Sequence, residues 1–278
     1  MRNEWYIYHK HKEFPMLTKH DVFKLLESFG IRRDDAVTMH SSLREVGPIE
    51  GGADGLLDAL TEYLCDGLLL IPTHTWAVVN AANPHFDVRE TVPNIGTLSR
   101  VAAFRKDAVR SLHPTHSMAV FGKNAREYIQ GEEKSCTPAP VCGALSRLYE
   151  LNGKVLLVGV GHERNTYLHS IDERLDIPNR IAEHGFPVTI TDWDGNTIQH
   201  PDYHPHCTTG INVGLSEYYR NYKHALDVTG AVQYGWMGNA LTYCCDCRKM
   251  TDTVLRILQR ADHDVCIGIQ EIPEEWYL

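Results

Sequence analysis

Apolar residues fall in short runs with two different spacings. Val155-Leu156-Leu157-Val158 is continuous and predicts a strand buried on both faces, as do Gly67-Leu68-Leu69-Leu70-Ile71-Pro72 and the shorter Ala36-Val37-Thr38-Met39. Within Ala53 to Cys65, Leu56, Leu57, Leu60 and Leu64 recur at helical spacing. Strand, helix and strand in such short compass predict a βαβ unit with parallel strands. Upstream, Thr18-Lys19-His20-Asp21 resembles a capping box with Asp in place of Glu, and opens a helix that buries Val22, Leu25 and Leu26 and stops at Gly30.

Further along, helices are predicted over Gly96 to Arg105, Asn124 to Gln130, Ala144 to Leu151, Leu215 to Leu226 and Lys249 to Leu258. Strands are predicted over Met118 to Phe121, Ala231 to Trp236 and Val265 to Ile269. Phe186 to Asp192 and Asn196 to His200 flank Asp194-Gly195, a hairpin signal. The long irregular stretch Ala77 to Asn94 predicts a lid or a substrate wall. The expected fold class is α/β. It is a single domain over residues 1–278 (core about 18–270), with a central mostly parallel or mixed sheet flanked by helices and an antiparallel hairpin appendage.

Composition narrows the partners. The net charge of −9, from 36 acidic against 27 basic side chains, argues against nucleic acid. No run of about 18 apolar residues predicts a membrane span. The N-terminal MRNEWYIYHKHKEF lacks the apolar core of a signal peptide, so a cytoplasmic location is expected. The eight cysteines form no C-x-x-C pair and are expected to be free thiols. His204, His206 and Cys207, even with Cys244, Cys245 and Cys247, fit no zinc spacing, so no metal is expected. A homodimer is compatible with the sequence.

The chemistry concentrates in Gly159 to Arg174, which follows a buried strand. Gly159 and Gly161 end that strand, and Asn165 or Thr166 can cap a new helix. From there Thr166, His169, Asp172 and Glu173 share one face. A histidine oriented by a carboxylate is a general base, and the carboxyl edge of an open α/β sheet is where ligands bind. The same spacing also fits a surface helix with solvated charges. A serine hydrolase is disfavoured, because no G-x-S-x-G elbow is present.

Five motifs in register then point one way: His40-Ser41-Ser42-Leu43-Arg44, Gly51-Gly52-Ala53-Asp54, Ile71-Pro72-Thr73-His74, Arg110-Ser111-Leu112-His113-Pro114 with Ser117, and Gly159-Val160-Gly161 with Asn165-Thr166 and His169. Together they resemble the aminoglycoside 3-N-acetyltransferase family, the antibiotic N-acetyltransferases. The resemblance runs from about residue 18 to residue 180, and more loosely to residue 260. It implies an α/β fold distinct from the GNAT fold, acetyl-CoA as cosubstrate, and an aminoglycoside amine as acceptor. His169 matches the family's histidine base. Asp172 stands where the family usually has Glu, and the adjoining Glu173 could share the role. His40 joins the catalytic set as part of a strand-end loop that could stabilise an oxyanion. The resemblance implies cofactor contacts from Ser41, Ser42, Leu43, Arg110, Ser111, His113 and Ser117. Thr73, His74 and Trp76 at a strand end, with Asp87 and Asp176, are expected at the substrate, and Glu90 and Glu173 are further acidic candidates.

Overall fold

The computed structural model describes residues 15–261, 268 and 271–278. The apolar runs pair into a seven-stranded sheet in the order β4-β5-β2-β1-β6-β10-β9. These strands are β1 (Ala36–Ser41), β2 (Leu68–Pro72), β4 (Val109–Arg110), β5 (Met118–Phe121), β6 (Lys154–Val158), β9 (Val232–Met237) and β10 (Ala240–Asp246). β3 (His85–Asp87), β7 (Phe186–Thr191) and β8 (Thr197–Tyr203) form a second, three-stranded sheet. The longer helices are α1 (Lys19–Ser28), α2 (Gly52–Tyr63), α3 (Thr97–Ala103), α4 (Ala144–Glu150), α5 (Tyr167–Arg174) and α6 (Cys247–Leu258).

β2, β1 and β6 run parallel at the centre, and β5 and β10 flank them antiparallel. The predicted βαβ unit is β1-α2-β2. Successive residues of the central strands enter opposite faces. Val37, Met39, Leu69, Ile71, Leu156 and Val158 pack under α1, α2 and α3. Ala36, Leu70, Val155 and Leu157 pack under α4, α5 and α6. Burial on both faces is why these strands are continuously apolar rather than alternating. α1 opens with the predicted box: the Thr18 hydroxyl accepts from Asp21 N–H while the Asp21 carboxylate accepts from Thr18 N–H. Such a cap is worth ~1 kcal/mol.

Three elements depart from the sequence reading. β10 is an unpredicted strand: Cys244 and Cys245 face opposite cores as small apolar groups, and the strand pairs with both β6 and β9. The stretch Ala77 to Asn94 is not wholly irregular. It contributes β3, which pairs in parallel with β7 and turns the hairpin appendage into a three-stranded sheet. The helix expected over Leu215 to Leu226 is broken into Leu215–Tyr218, a 3₁₀ segment Tyr219–Tyr222 and Lys223–Val228. The N-terminal stretch 1–14 lies outside the described residues, as does all of Val265 to Ile269 except Gly268.

Candidate active site

From β1 the chain passes through α2 to β2 on one side, while β6 lies on the other. The strand order therefore reverses at β1, and a crevice opens beyond the carboxyl ends. A cavity of about 670 Å³ fills it, lined by His40 and Ser41 from β1, Ile71 and Pro72 from β2, His74 just past β2, and Val160 past β6. His169, in the first turn of α5, and His206, on the segment after β8, complete the floor.

The Thr166 hydroxyl, a candidate helix cap in the sequence, does not cap α5. It hydrogen-bonds His40 Nε2 at 3.1 Å, tying the end of β1 to the start of α5. His169 Nδ1 lies 2.7 Å from the Tyr219 hydroxyl, which in turn donates to the Asp172 carboxylate. Arg180 Nε stands 3.4 Å from the same carboxylate oxygen, with both side chains buried. A tyrosine hydroxyl thus stands between histidine and acid. The Asp side chain is one methylene shorter than Glu, and Tyr219 spans the gap.

The floor is a continuous set of imidazoles. His169 lies against His206 at 4.1 Å between ring centroids, His206 against His116 at 5.2 Å, and His116 against His74 at 4.6 Å. Burial pushes His40 and His206 down to about 4, and holds His74, His116 and His169 well below the usual imidazole range, with neighbouring imidazoles adding to the effect. These rings are neutral near pH 7. Among the described residues, no three His, Cys, Asp or Glu side chains converge as a metal-binding group. Cys245 on β10 and Cys247 at the start of α6 are packed in the core.

The structure separates the sequence candidates. Ser41, His40, His74, Trp76 and His169 line the cavity. Ser42 and Leu43 are half-buried at the start of the following turn, and Ser42 N–H is spent on Val158 C=O. Four residues expected at the cofactor are hydrogen-bonded within the scaffold. The Arg110 guanidinium donates to the carbonyls of Val88, Thr91 and Thr73 and to the Ser117 hydroxyl. Ser111 donates to Glu132, Ser117 donates to Thr73 C=O, and His113 Nε2 bonds Thr137 C=O. All four are buried and none lines the cavity.

The acidic candidates likewise lie elsewhere. Glu173 turns away from His169: its carboxylate accepts from the Thr137 hydroxyl at 2.5 Å and from Ala139 N–H at 2.7 Å. Asp87 is clamped by Arg89, Thr73 Oγ1 is paired with Ser117, and Asp176 is exposed past the end of α5. The carboxylate on the cavity wall is Glu163, whose Oε1 accepts from Gly161 N–H. Tyr219, Arg180, His116 and His206 were not assigned to the site from sequence. Tyr219 lies 50 residues beyond His169, within a run that reads as an ordinary helix face.

The aminoglycoside 3-N-acetyltransferase family model matches residues 38–259. Aminoglycoside N(3)-acetyltransferase IV from a Salmonella species is 30% identical over 169 residues, covering 60% of this chain and 62% of that enzyme. Aminoglycoside N(3)-acetyltransferase III from Serratia marcescens is 30% identical over 172 residues, covering 56% of this chain and 64% of that enzyme. The chain thus spans less than two thirds of the length of these two curated relatives. Among solved structures, the apoenzyme of aminoglycoside acetyltransferase AAC(3)-IVa superposes with a TM-score of 0.72 at 26% identity, covering 94% of each chain. The AAC-IIIb binary complex with CoASH superposes with a TM-score of 0.75 at 21% identity, covering 88% of this chain and 98% of that one, a likeness of fold. A mixed sheet with its cavity at the reversal of strand order, and a family match running from β1 through α6, make this chain a member of the aminoglycoside 3-N-acetyltransferase family.

Proposed function

We propose that the protein transfers the acetyl group of acetyl-CoA to a primary amine of a small molecule, the 3-amino group of an aminoglycoside, by direct attack with His169 as general base. The observation that carries this reading is His169 on the cavity floor, linked on its far side to a buried carboxylate. Family membership supports acetyl-CoA as donor, and the relatives' names support the acceptor class.

The step balances without a covalent enzyme intermediate. The amine nitrogen forms a bond to the thioester carbon as His169 Nε2 takes its proton. The carbon–sulfur bond then breaks, and the imidazolium returns the proton to the departing CoA sulfur. The burial that keeps His169 neutral leaves its lone pair available to the amine. The cavity is walled largely by apolar side chains such as Met39, Ile71, Ile95 and Leu215, so the developing oxyanion and imidazolium sit away from bulk water. Of the donors expected at the oxyanion, Ser41 is the hydroxyl residue of that loop on the cavity wall. Acetyl-CoA enters as substrate, its thioester reaching the floor between Ser41 and His169.

A second reading is a less highly charged amine. It is favoured by the cavity wall, from which Asp87, Glu90, Asp172, Glu173 and Asp176 are all absent. The test is CoA thiol release from acetyl-CoA with a panel of aminoglycosides and apolar monoamines, for the native protein and His169→Ala. Turnover abolished by the substitution supports the reaction and the base, and the preferred amine chooses between the two acceptors. Acetyl-CoA binding without turnover of any amine would remove the transferase reading.

A further inference from the structure

Tyr219 is the best-buried hydroxyl touching the proposed base, at 1% exposure, and sequence reasoning gave it no role. Its single proton decides the state of the histidine. The hydroxyl donates to Asp172, a carboxylate with Arg180 beside it and hence an acceptor only. The 2.7 Å contact with His169 Nδ1 must then run the other way, with the imidazole N–H donating to the tyrosine oxygen. A neutral imidazole protonated at Nδ1 carries its lone pair on Nε2.

We propose that Tyr219 is a positioning residue: it fixes His169 as the Nδ1–H tautomer, leaving Nε2 as the basic atom, and the Asp172 carboxylate acts on the base through the Tyr219 hydroxyl. The 3₁₀ segment Tyr219–Tyr222 has a structural reason at this point, because it sets the phenol edge-on to His169, with centroids 5.0 Å apart and planes at 70°. The carboxylate thereby serves both Arg180 and the hydroxyl. Burial, and the Arg180 cation beside Asp172, both disfavour a protonated His169, so a polarised acceptor at Nδ1 is the group that offsets them when the ring takes a proton. This inference rests on His169 being the base, but its first test does not need turnover.

Side-chain ¹⁵N spectra of the protein, with His169 assigned by its loss in His169→Ala, report which ring nitrogen carries the proton. The expected result is a single Nδ1–H tautomer in the native protein and a mixture, or the Nε2–H form, in Tyr219→Phe. That substitution keeps the buried ring and removes one oxygen. In the turnover assay, Tyr219→Phe is expected to lower kcat roughly 10- to 100-fold. The KM for acetyl-CoA stays within about two-fold, because uniform binding is not lost. The acid limb of the kcat profile moves to lower pH, since the imidazolium has lost its acceptor. Introducing Asp172→Asn into the Tyr219→Phe background should cost much less than in the native protein, because the link is already cut. An Nε2–H tautomer in the native protein, or a Tyr219→Phe variant with unchanged tautomer and pH profile, overturns the proposal. A protein that shows the Nδ1–H tautomer but acetylates no amine would retain this inference and lose the transferase reading.

Discussion

Replacing Arg110 separates a scaffold role from a cofactor role. Its resemblance to the family's cofactor loops would make it a contact to a phosphate of the cofactor. Instead, Nη1 donates to Thr91 C=O at 2.7 Å and Val88 C=O at 3.2 Å, Nη2 to Thr73 C=O at 3.3 Å, and Nε to Ser117 Oγ at 3.2 Å. The guanidinium carbon lies 5.1 Å from the Phe86 ring centroid and 5.8 Å from that of Phe104. One side chain thereby holds the ends of β2 and β5 to the segment that follows β3. Burial lowers its pKa to about 10, which still leaves it charged at neutral pH. Lysine at this position brings one point charge and cannot reach four acceptors in a plane.

Hydrogen bonds from a charged donor contribute ~1.5–3 kcal/mol each, but these share one group and do not add. Removing one partner of a buried charged network costs ~3–5 kcal/mol. Arg110→Lys is therefore expected to destabilise by about 4 kcal/mol. For a chain of this size, that is a fall in Tm of roughly 8–16 °C. Acetyl-CoA affinity, measured by calorimetry well below the variant's Tm, should stay within about two-fold. A Tm within ~2 °C of native, together with a tenfold or greater loss of acetyl-CoA affinity, would refute the reasoning and restore Arg110 to the cofactor.

Two further predictions concern acid and the neighbouring carboxylates. His40, His113, His162 and His206 are pushed by burial from 6.5 down to about 4. The unfolded chain therefore binds protons first, and stability present above pH 6.5 is lost as pH falls toward 4. Glu132, pushed by burial from 4.5 up to about 7, acts in the opposite sense: its contribution is present below 4.5 and is lost as pH rises through 7. Four imidazoles outweigh one carboxyl, so the denaturation midpoint should fall on acidification, and Glu132→Gln should make that fall steeper. A midpoint that rises between pH 6.5 and 4 would contradict this account. Glu173→Gln is expected to leave the pH profile of kcat in place, because that carboxylate serves Thr137 and Ala139, whereas Asp172→Asn should lower kcat. Comparing the two pH–rate profiles checks the assignment.

Local physics was legible along the chain. The central strands were readable because burial on both faces leaves no polar position, and α1 was readable because its capping box lies within four residues of sequence. His169 was visible for the same reason: a strand end, two glycines and a helix place it in one short stretch. β10 was missed because adjacent cysteines, expected to be free thiols, carry no alternating pattern until two cores are seen to bury them. Motif membership singled out Arg110, and helical spacing Glu173, but neither could give the direction the side chain takes. Tertiary packing turns Arg110 to the carbonyls of Thr73, Val88 and Thr91, and Glu173 to Ala139 N–H.

The tertiary structure alone decided the partner of the base. Tyr219 reaches His169 from a broken helix far along the chain, a contact between residues 50 apart. His74, His116 and His206 likewise come from separate elements and meet only when the carboxyl ends of the strands are brought together. Sequence spacing determines which side chains share a helix or strand, because the backbone repeat is local. Which groups share a proton depends on distances of a few ångströms between distant segments, and packing sets those.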